Sequence, residues 1–172
     1  RTRDVVIVVA KVTPTVTWNN PLGIGYGTGL SGVQLNATAS VAGTFTYTPP
    51  AGTVLALGTQ TLQVDFTPSN AASYNLVSKD VPIVISKGTP TITWADPANI
   101  GYGAALGATE LNATASAPGT FSYAPAAGTV LNAGTPTLHV DFTPSDPINY
   151  SATAKDVPIV ISKGTPTITW AD

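Results

Sequence analysis

The sequence predicts an all-β fold, arranged as tandem antiparallel β-sandwiches of about seven strands each, stacked as an extended rod. Three observations predict it. Trp18, Trp94 and Trp170 stand at a fixed interval, and Lys11, Lys87 and Lys163 keep the same interval. Fifteen prolines and sixteen glycines interrupt nearly every window long enough for a helix. Between those breaks stand short runs of alternating apolar and polar residues rich in β-branched and aromatic side chains.

The interval defines the organisation. Residues 11–86 align with 87–162 without a gap, and 47 of those 76 positions are identical when counted letter by letter. A fixed internal period is the mark of a repeat architecture. Four segments follow: the C-terminal strand of a preceding repeat at 1–10, whole repeats at 11–86 and 87–162, and the first strand of a following repeat at 163–172. With no methionine anywhere, the chain reads as a piece of a longer protein.

The elements can be taken in order along the second copy. TPTITW (89–94) puts Ile92 and Trp94 on one face and Thr91 and Thr93 on the other. A short strand is expected near Ile100–Tyr102. In ELNATAS, Leu111, Ala113 and Ala115 share a face, and in TFSY the pair is Phe121 and Tyr123. Another short strand is expected near Thr129–Leu131. TLHVDF directs Leu138, Val140 and Phe142 inward and His139 and Asp141 outward, and VPIVIS directs Val157, Ile159 and Ile161 inward. About seven strands with turn signals every 8–12 residues indicate a two-sheet sandwich. Pro82 and Pro158 suggest that the last strand is an edge, where a missing N–H costs least.

The eighteen letters KDVPIVISKGTPTITWAD occur at 79–96 and again at 155–172. They join a last strand to the next first strand through Lys87-Gly88, with Pro90 fixing φ just beyond. No Gly/Ser spacer intervenes, so neighbouring repeats are expected to form a stiff rod and not beads on a string.

Composition narrows the function classes. Charged residues make up 9% of the chain, against about 25% in an ordinary globular protein. Net charge is −2, and the seven basic residues are scattered, so there is no patch to neutralise a phosphate backbone and nucleic acid is a poor partner. Hydrophobic residues reach 43%, which sets the chain apart from disordered sequences. Cysteine is absent, which removes disulfides and thiolate metal sites. No apolar run approaches the ~20 residues of a membrane span.

The run TITWADPANIGYGAALGATELNATASAPGTFSYAPAAGTVLNAGTPTLHVDFTPSDPINY resembles the bacterial immunoglobulin-like (Ig-like) repeat. The pieces that carry the resemblance are ITW, YG, LNATAS, GTF-x-Y, AGTVL and TL-x-V-x-FTP, and they cover essentially the whole chain. The resemblance implies tandem Ig-like domains of large bacterial surface or secreted proteins: stalks of adhesins, wall-attached proteins or extracellular filaments. It brings no catalytic residues. Val140 stands where a disulfide cysteine would, and Leu138 where a corner tyrosine would, which implies a core held by packing alone.

No residue announces an enzyme. His139 is the only histidine, its counterpart is Gln63, and it reads as a solvent-facing strand residue. Glu110 is the only glutamate, its counterpart is Gln34, and Asp141 offers no evident mate for paired-carboxylate chemistry. No cofactor is expected. Calcium is the one metal the pattern admits, through Asp96, Asp146 and Asp156, a sparse set for that ion. Lys87 with Asn112 could form an intramolecular amide bond only beside a buried acid. Asn36, Asn112 and Asn149 each begin an N-x-S/T triplet. GIGYG (23–27) and IGYG (100–103) read as turns with a packed tyrosine.

The charged pairs Lys79-Asp80 and Lys155-Asp156 recur at the seam, next to Lys87 and Lys163. Together with Gly88, Pro90 and Trp94 they form the candidate inter-repeat junction, a structural site held in part by weak surface ion pairs. The expected partners are neighbouring repeats of the same chain and, in a fibre, other copies of it.

Overall fold

The computed structural model describes residues 9–170. The chain divides into two compact units, Arg1–Lys87 and Gly88–Asp172. The strand assigned to 1–10 lies, apart from Val9 and Ala10, outside the described residues. The described residues are all-β, with no helix.

The first unit contains β1 (Val16–Thr17), β2 (Ile24–Gly25), β3 (Thr38–Ala39), β4 (Gly43–Thr48), β5 (Gly58–Pro68) and β6 (Val77–Ser86). One sheet has the order β2-β6-β5-β4, and β1 pairs with β3 in the other. The alternation in β5 buries Leu62, Val64 and Phe66, and that in β6 buries Val81, Ile83 and Ile85. Val16, Trp18, Leu35 and Ala37, from the β1 and β3 side, join these residues in one cluster. Two layers therefore close over one core, as a sandwich requires.

The second unit contains β7 (Ile92–Thr93), β8 (Ile100–Gly101), β9 (Thr114–Ala115), β10 (Gly119–Ala124), β11 (Thr137–Pro144), β12 (Thr153–Pro158) and β13 (Ile161–Ser162). Its register is that of the first unit moved by one period. Phe45 faces Phe66 and Phe121 faces Phe142; Leu62 faces Val81 and Leu138 faces Val157. One substitution explains where the copies part. Gln60 continues the β5 ladder opposite Ile83, but its counterpart is Pro136, which has no N–H to give. Strand β11 accordingly starts at Thr137, and the last strand is divided into β12 and β13. Pairing persists across the break, since the Ile159 N–H donates to the Pro136 carbonyl at 3.0 Å.

Four expectations are corrected. First, the sandwiches are not wholly antiparallel: β2 runs parallel to β6, and β8 parallel to β13. Parallel neighbours need a long connection; β2 and β6 stand at opposite ends of their unit and have one, whereas the short-range patterning of the sequence reports only on near neighbours. Second, the run near Thr129–Leu131 forms a single bridge, Ala105 with Val130, and no strand. Third, the edge expected of the last strand holds in one unit only: β12, which carries Pro158, is outermost in β10-β11-β12, but the strand carrying Pro82 is an interior one. Pro82 faces Thr61 on β5, while β2 covers β6 only at Ile85 and Ser86, so the ring sits on the uncovered stretch of an otherwise covered strand. Fourth, packing does not hold the cores alone. The Trp18 indole N–H donates to the Gln34 carbonyl at 3.0 Å and the Ala37 N–H donates to the Tyr47 hydroxyl oxygen at 2.9 Å. Trp94 with Glu110 and Ala113 with Tyr123 repeat both bonds at the same lengths. A buried indole N–H without a partner would cost about 1–3 kcal/mol, so these bonds fix where each tryptophan sits.

The two YG turns place Gly27 at φ 90° and Gly103 at φ 95°, the left-handed region that favours glycine. The run Thr165–Trp170 repeats the letters of Thr89–Trp94 in a different setting: Trp94 is 3% exposed and Trp170 89%. Residues 163–170 belong to no strand.

Candidate functional site

The junction residues divide between core, ladder and surface. Trp94 and Pro90 are buried within the second unit. Gly88 is buried too, donating its N–H to the Asn149 carbonyl and accepting from the Ser151 N–H, each at 2.9 Å. Lys79 and Asp80 are successive strand residues, so they point to opposite faces. The Lys79 ammonium reaches the Val16 carbonyl at 3.4 Å, and Asp80 stands outward opposite Gln63. Lys155 is half-buried opposite Val140, and Asp156 is outward opposite His139. Lys87 and Lys163 lie exposed.

Among the described residues, titratable groups gather on the outward face of the second unit, around His139. Nδ1 of the ring lies 2.5 Å from an Asp156 carboxylate oxygen, and Nε2 lies 3.2 Å from one of Asp141. Asp141 reaches the ring because residues i and i+2 share a strand face. Asp156 reaches it because β11–β12 register sets the two opposite each other. The first of these relations is present in the letters HVD. The second depends on register, so linear reading left His139 without a partner.

The first unit solves the same face differently. There the Ser78 hydroxyl donates to Asp65 at 2.5 Å, and the position of His139 is held by Gln63. In the second unit Ala154 replaces Ser78, so Asp141 loses a hydroxyl partner and takes the imidazole. The hydrogen bond that the ring donates to Asp156, then the one to Asp141, raise the His139 pKa above its ordinary 6.5. A general base needs one free ring nitrogen aimed at substrate. Here both nitrogens face carboxylates, so neither is aimed at open space.

A pH effect follows. The pKa of folded His139 lies above the unfolded value, so the charged imidazole stabilises the fold below about pH 6.5. That contribution disappears as pH rises through the raised folded value. His139→Gln, which restores the letter of the first unit, should lower the thermal midpoint on the acid side only, with the two curves merging at higher pH. Proton NMR of the single imidazole should show a midpoint above 6.5, and a midpoint at or below 6.5 would refute the arrangement.

The remaining candidates have structural roles. A Glu110 carboxylate oxygen accepts the Gly107 N–H at 2.8 Å, as the Gln34 carbonyl oxygen accepts the Ser31 N–H at 3.1 Å. Both side chains close their own loop. Asp146 accepts the Ile148 and Asn149 N–H groups and binds the Asn149 amide nitrogen at 2.7 Å, making a turn cap. This ties down Asn149 as a glycan acceptor. Asn36 and Asn112 are exposed, and their amides donate to the carbonyls of Val33 and Thr109. Among the described residues no group of three or more histidine, aspartate or glutamate side chains could hold a metal ion, and Asp96 is exposed after β7.

Each unit also has an open apolar hollow of about 400 Å³ at the same place. In the first it is lined by Leu35, Phe45, Tyr47 and Pro50, and in the second by Leu111, Tyr123 and Ala126. Sequence reading placed these aromatics inside; they are half-buried, at the margin of the core.

No family model and no curated protein matches the chain. A similar solved structure is that of the fibronectin(III)-like modules of Clostridium thermocellum CbhA, at 13% identity and a TM-score of 0.29, covering 87% of this chain and 95% of that one. The assignment of a β-sandwich to each unit thus stands on this chain's own strand registers and on its two closed cores.

Proposed function

We propose that this chain is a structural repeat segment of a long extracellular bacterial protein, a stalk or spacer that projects other domains or builds a fibre. One observation carries the reading. From one unit to the next, core and register are copied, and most of the substitutions fall at exposed positions. Phe66 and Phe142, Leu62 and Leu138, and Trp18 and Trp94 occupy matching buried positions. Gln63 becomes His139 and Ser78 becomes Ala154. A repeated binding site would need its surface letters kept; a repeated strut needs only its scaffold. The resemblance to Ig-like repeats supports the extracellular setting, and the chemistry around His139 and Glu110 gives no support to an enzyme.

The reading keeps the proposed boundaries 11–86 and 87–162 and the spacer-free seam at Lys87-Gly88. It is tested by small-angle scattering from the 172-residue chain. The eleven residues of β5 at ~3.3 Å each give a unit about 36 Å long. Stiff end-to-end units therefore produce a second maximum in the pair-distance distribution near 40 Å. A single maximum would refute the rod. An alternative is an adhesive module for glycans or host proteins, for which the recurrent hollow beside Tyr47 and Tyr123 is the favouring observation. Clear hits on a glycan array would replace the spacer reading with that one.

A further inference from the structure

The sheet edges carry an inference that goes beyond the spacer reading and stands or falls apart from it. Strand β4 is outermost in the order β2-β6-β5-β4, and β10 is outermost in β10-β11-β12. Among the described residues their only backbone hydrogen bonds run to β5 and β11. In an antiparallel ladder every second residue turns its N–H and C=O away from its partner. Each strand thus presents a row of donors and acceptors to whatever lies beside it.

Exposed edges are usually guarded by charge, proline or a bulge. These two are bare. GTFTYT and GTFSYA contain no charged residue and no proline, and both are rich in β-formers. Pro82 and Pro158 sit elsewhere, in β6 and β12. The edge also adjoins incomplete burial. Phe45, Tyr47, Phe121 and Tyr123 are half-buried, and the hollows beside them open at this margin. A strand added here would gain backbone bonds and cover aromatic surface together.

We propose that the free edges of β4 and β10 are self-association surfaces, through which a second copy of this chain pairs strand to strand. Two features select a second copy as the occupant. The edges are uncharged, so like meets like without repulsion, and antiparallel self-pairing sets threonine against threonine and aromatic beside aromatic, both favourable cross-strand pairs. The edges are also short. Six residues bury much less than the ~1,200 Å² of a stable interface, so one pairing alone is weak. Each unit carries one such edge, and association through them is concentration-dependent.

The test uses the whole chain and the variants Thr46→Lys, Ser122→Lys and their combination. Thr46 faces Asp65 and Ser122 faces Asp141 across the ladder. Each lysine therefore meets a carboxylate in its own sheet, and an unchanged thermal midpoint confirms the fold. On self-pairing the same lysines bring like charges together. Sedimentation velocity should show the natural chain moving from monomer towards dimer on concentration to about 1 mM, the weak limit of specific association. Each single variant should lose the pairing at its own edge, and the double variant should stay monomeric. Amide exchange within Gly43–Thr48 and Gly119–Ala124 should slow in step with dimer formation. A natural chain that stays monomeric throughout, a folded double variant that associates as the natural chain does, or a dimer without that protection would overturn the proposal.

Discussion

Phe142→Ala should bring the second unit to the edge of unfolding while leaving the first intact. Phe142 is 1% exposed, faces Phe121 across the ladder with ring centroids 5.0 Å apart, and belongs to the core cluster that includes Leu138, Val140 and Val157. Truncating a buried phenylalanine costs about 3–5 kcal/mol, for the lost transfer energy and the cavity left behind. A unit of 76 residues carries only about 4–11 kcal/mol in total, at roughly 0.05–0.15 kcal/mol per residue. The loss is thus comparable with everything that holds the unit folded. Tryptophan fluorescence can read the two units separately once Trp170 and one of the buried pair are changed to phenylalanine, because Trp18 is buried in one unit and Trp94 in the other. In urea the variant should show two steps: the Trp94 signal lost at low denaturant and the Trp18 signal at the midpoint of the natural chain. Phe66→Ala should exchange the two assignments. A single transition carrying both signals would refute the independence of the units.

How far the sequence reached depends on the range of the interaction concerned. Alternation is a local property, so the inward faces of β5, β6 and β11 could be read directly from LQVDF, VPIVI and LHVDF. The period is visible in the letters, and it carries core and register from one copy to the next. Pairing between distant segments leaves no such mark. Nothing in GIGYG reports that Ile24 runs parallel beside Ile85, and nothing in KDVP reports that Asp156 faces His139. The bare edges were hidden for the same reason. TFTY looks like any strand until its place in the sheet is known, and only then do its aromatics prove half-covered. Pro136 is the converse case, in which a visible letter had an unforeseen effect by removing one ladder bond and dividing the last strand.

Gly119 is a letter whose requirement only the structure explains. Gly43 and Gly119 recur at matching positions and look like turn glycines, but each is the first residue of a strand, and neither has positive φ. What they need is room. A Cβ on Gly119 would lie 2.4 Å from Cζ of Phe142 and 2.4 Å from the Thr143 carbonyl oxygen; on Gly43 it would lie 2.5 Å from the Phe66 ring and 2.4 Å from the Thr67 oxygen. The ring of the facing strand thus lies over the glycine, as aromatics often do over edge glycines in sheets. Gly119→Ala should therefore destabilise the second unit by about 1–3 kcal/mol through overpacking. An open glycine in compatible backbone would instead gain up to ~1 kcal/mol from the stiffer unfolded chain. Gly32→Ala, with no atom within 4 Å of the added methyl, supplies that contrast within the same protein. Phe142→Leu removes the outer ring atoms nearest the new methyl, so Gly119→Ala/Phe142→Leu should cost less than the sum of the two single changes. Strict additivity would mean that the clash lies with the Thr143 carbonyl alone, and a Gly119→Ala stability within ~0.5 kcal/mol of the natural chain would mean that the ring gives way.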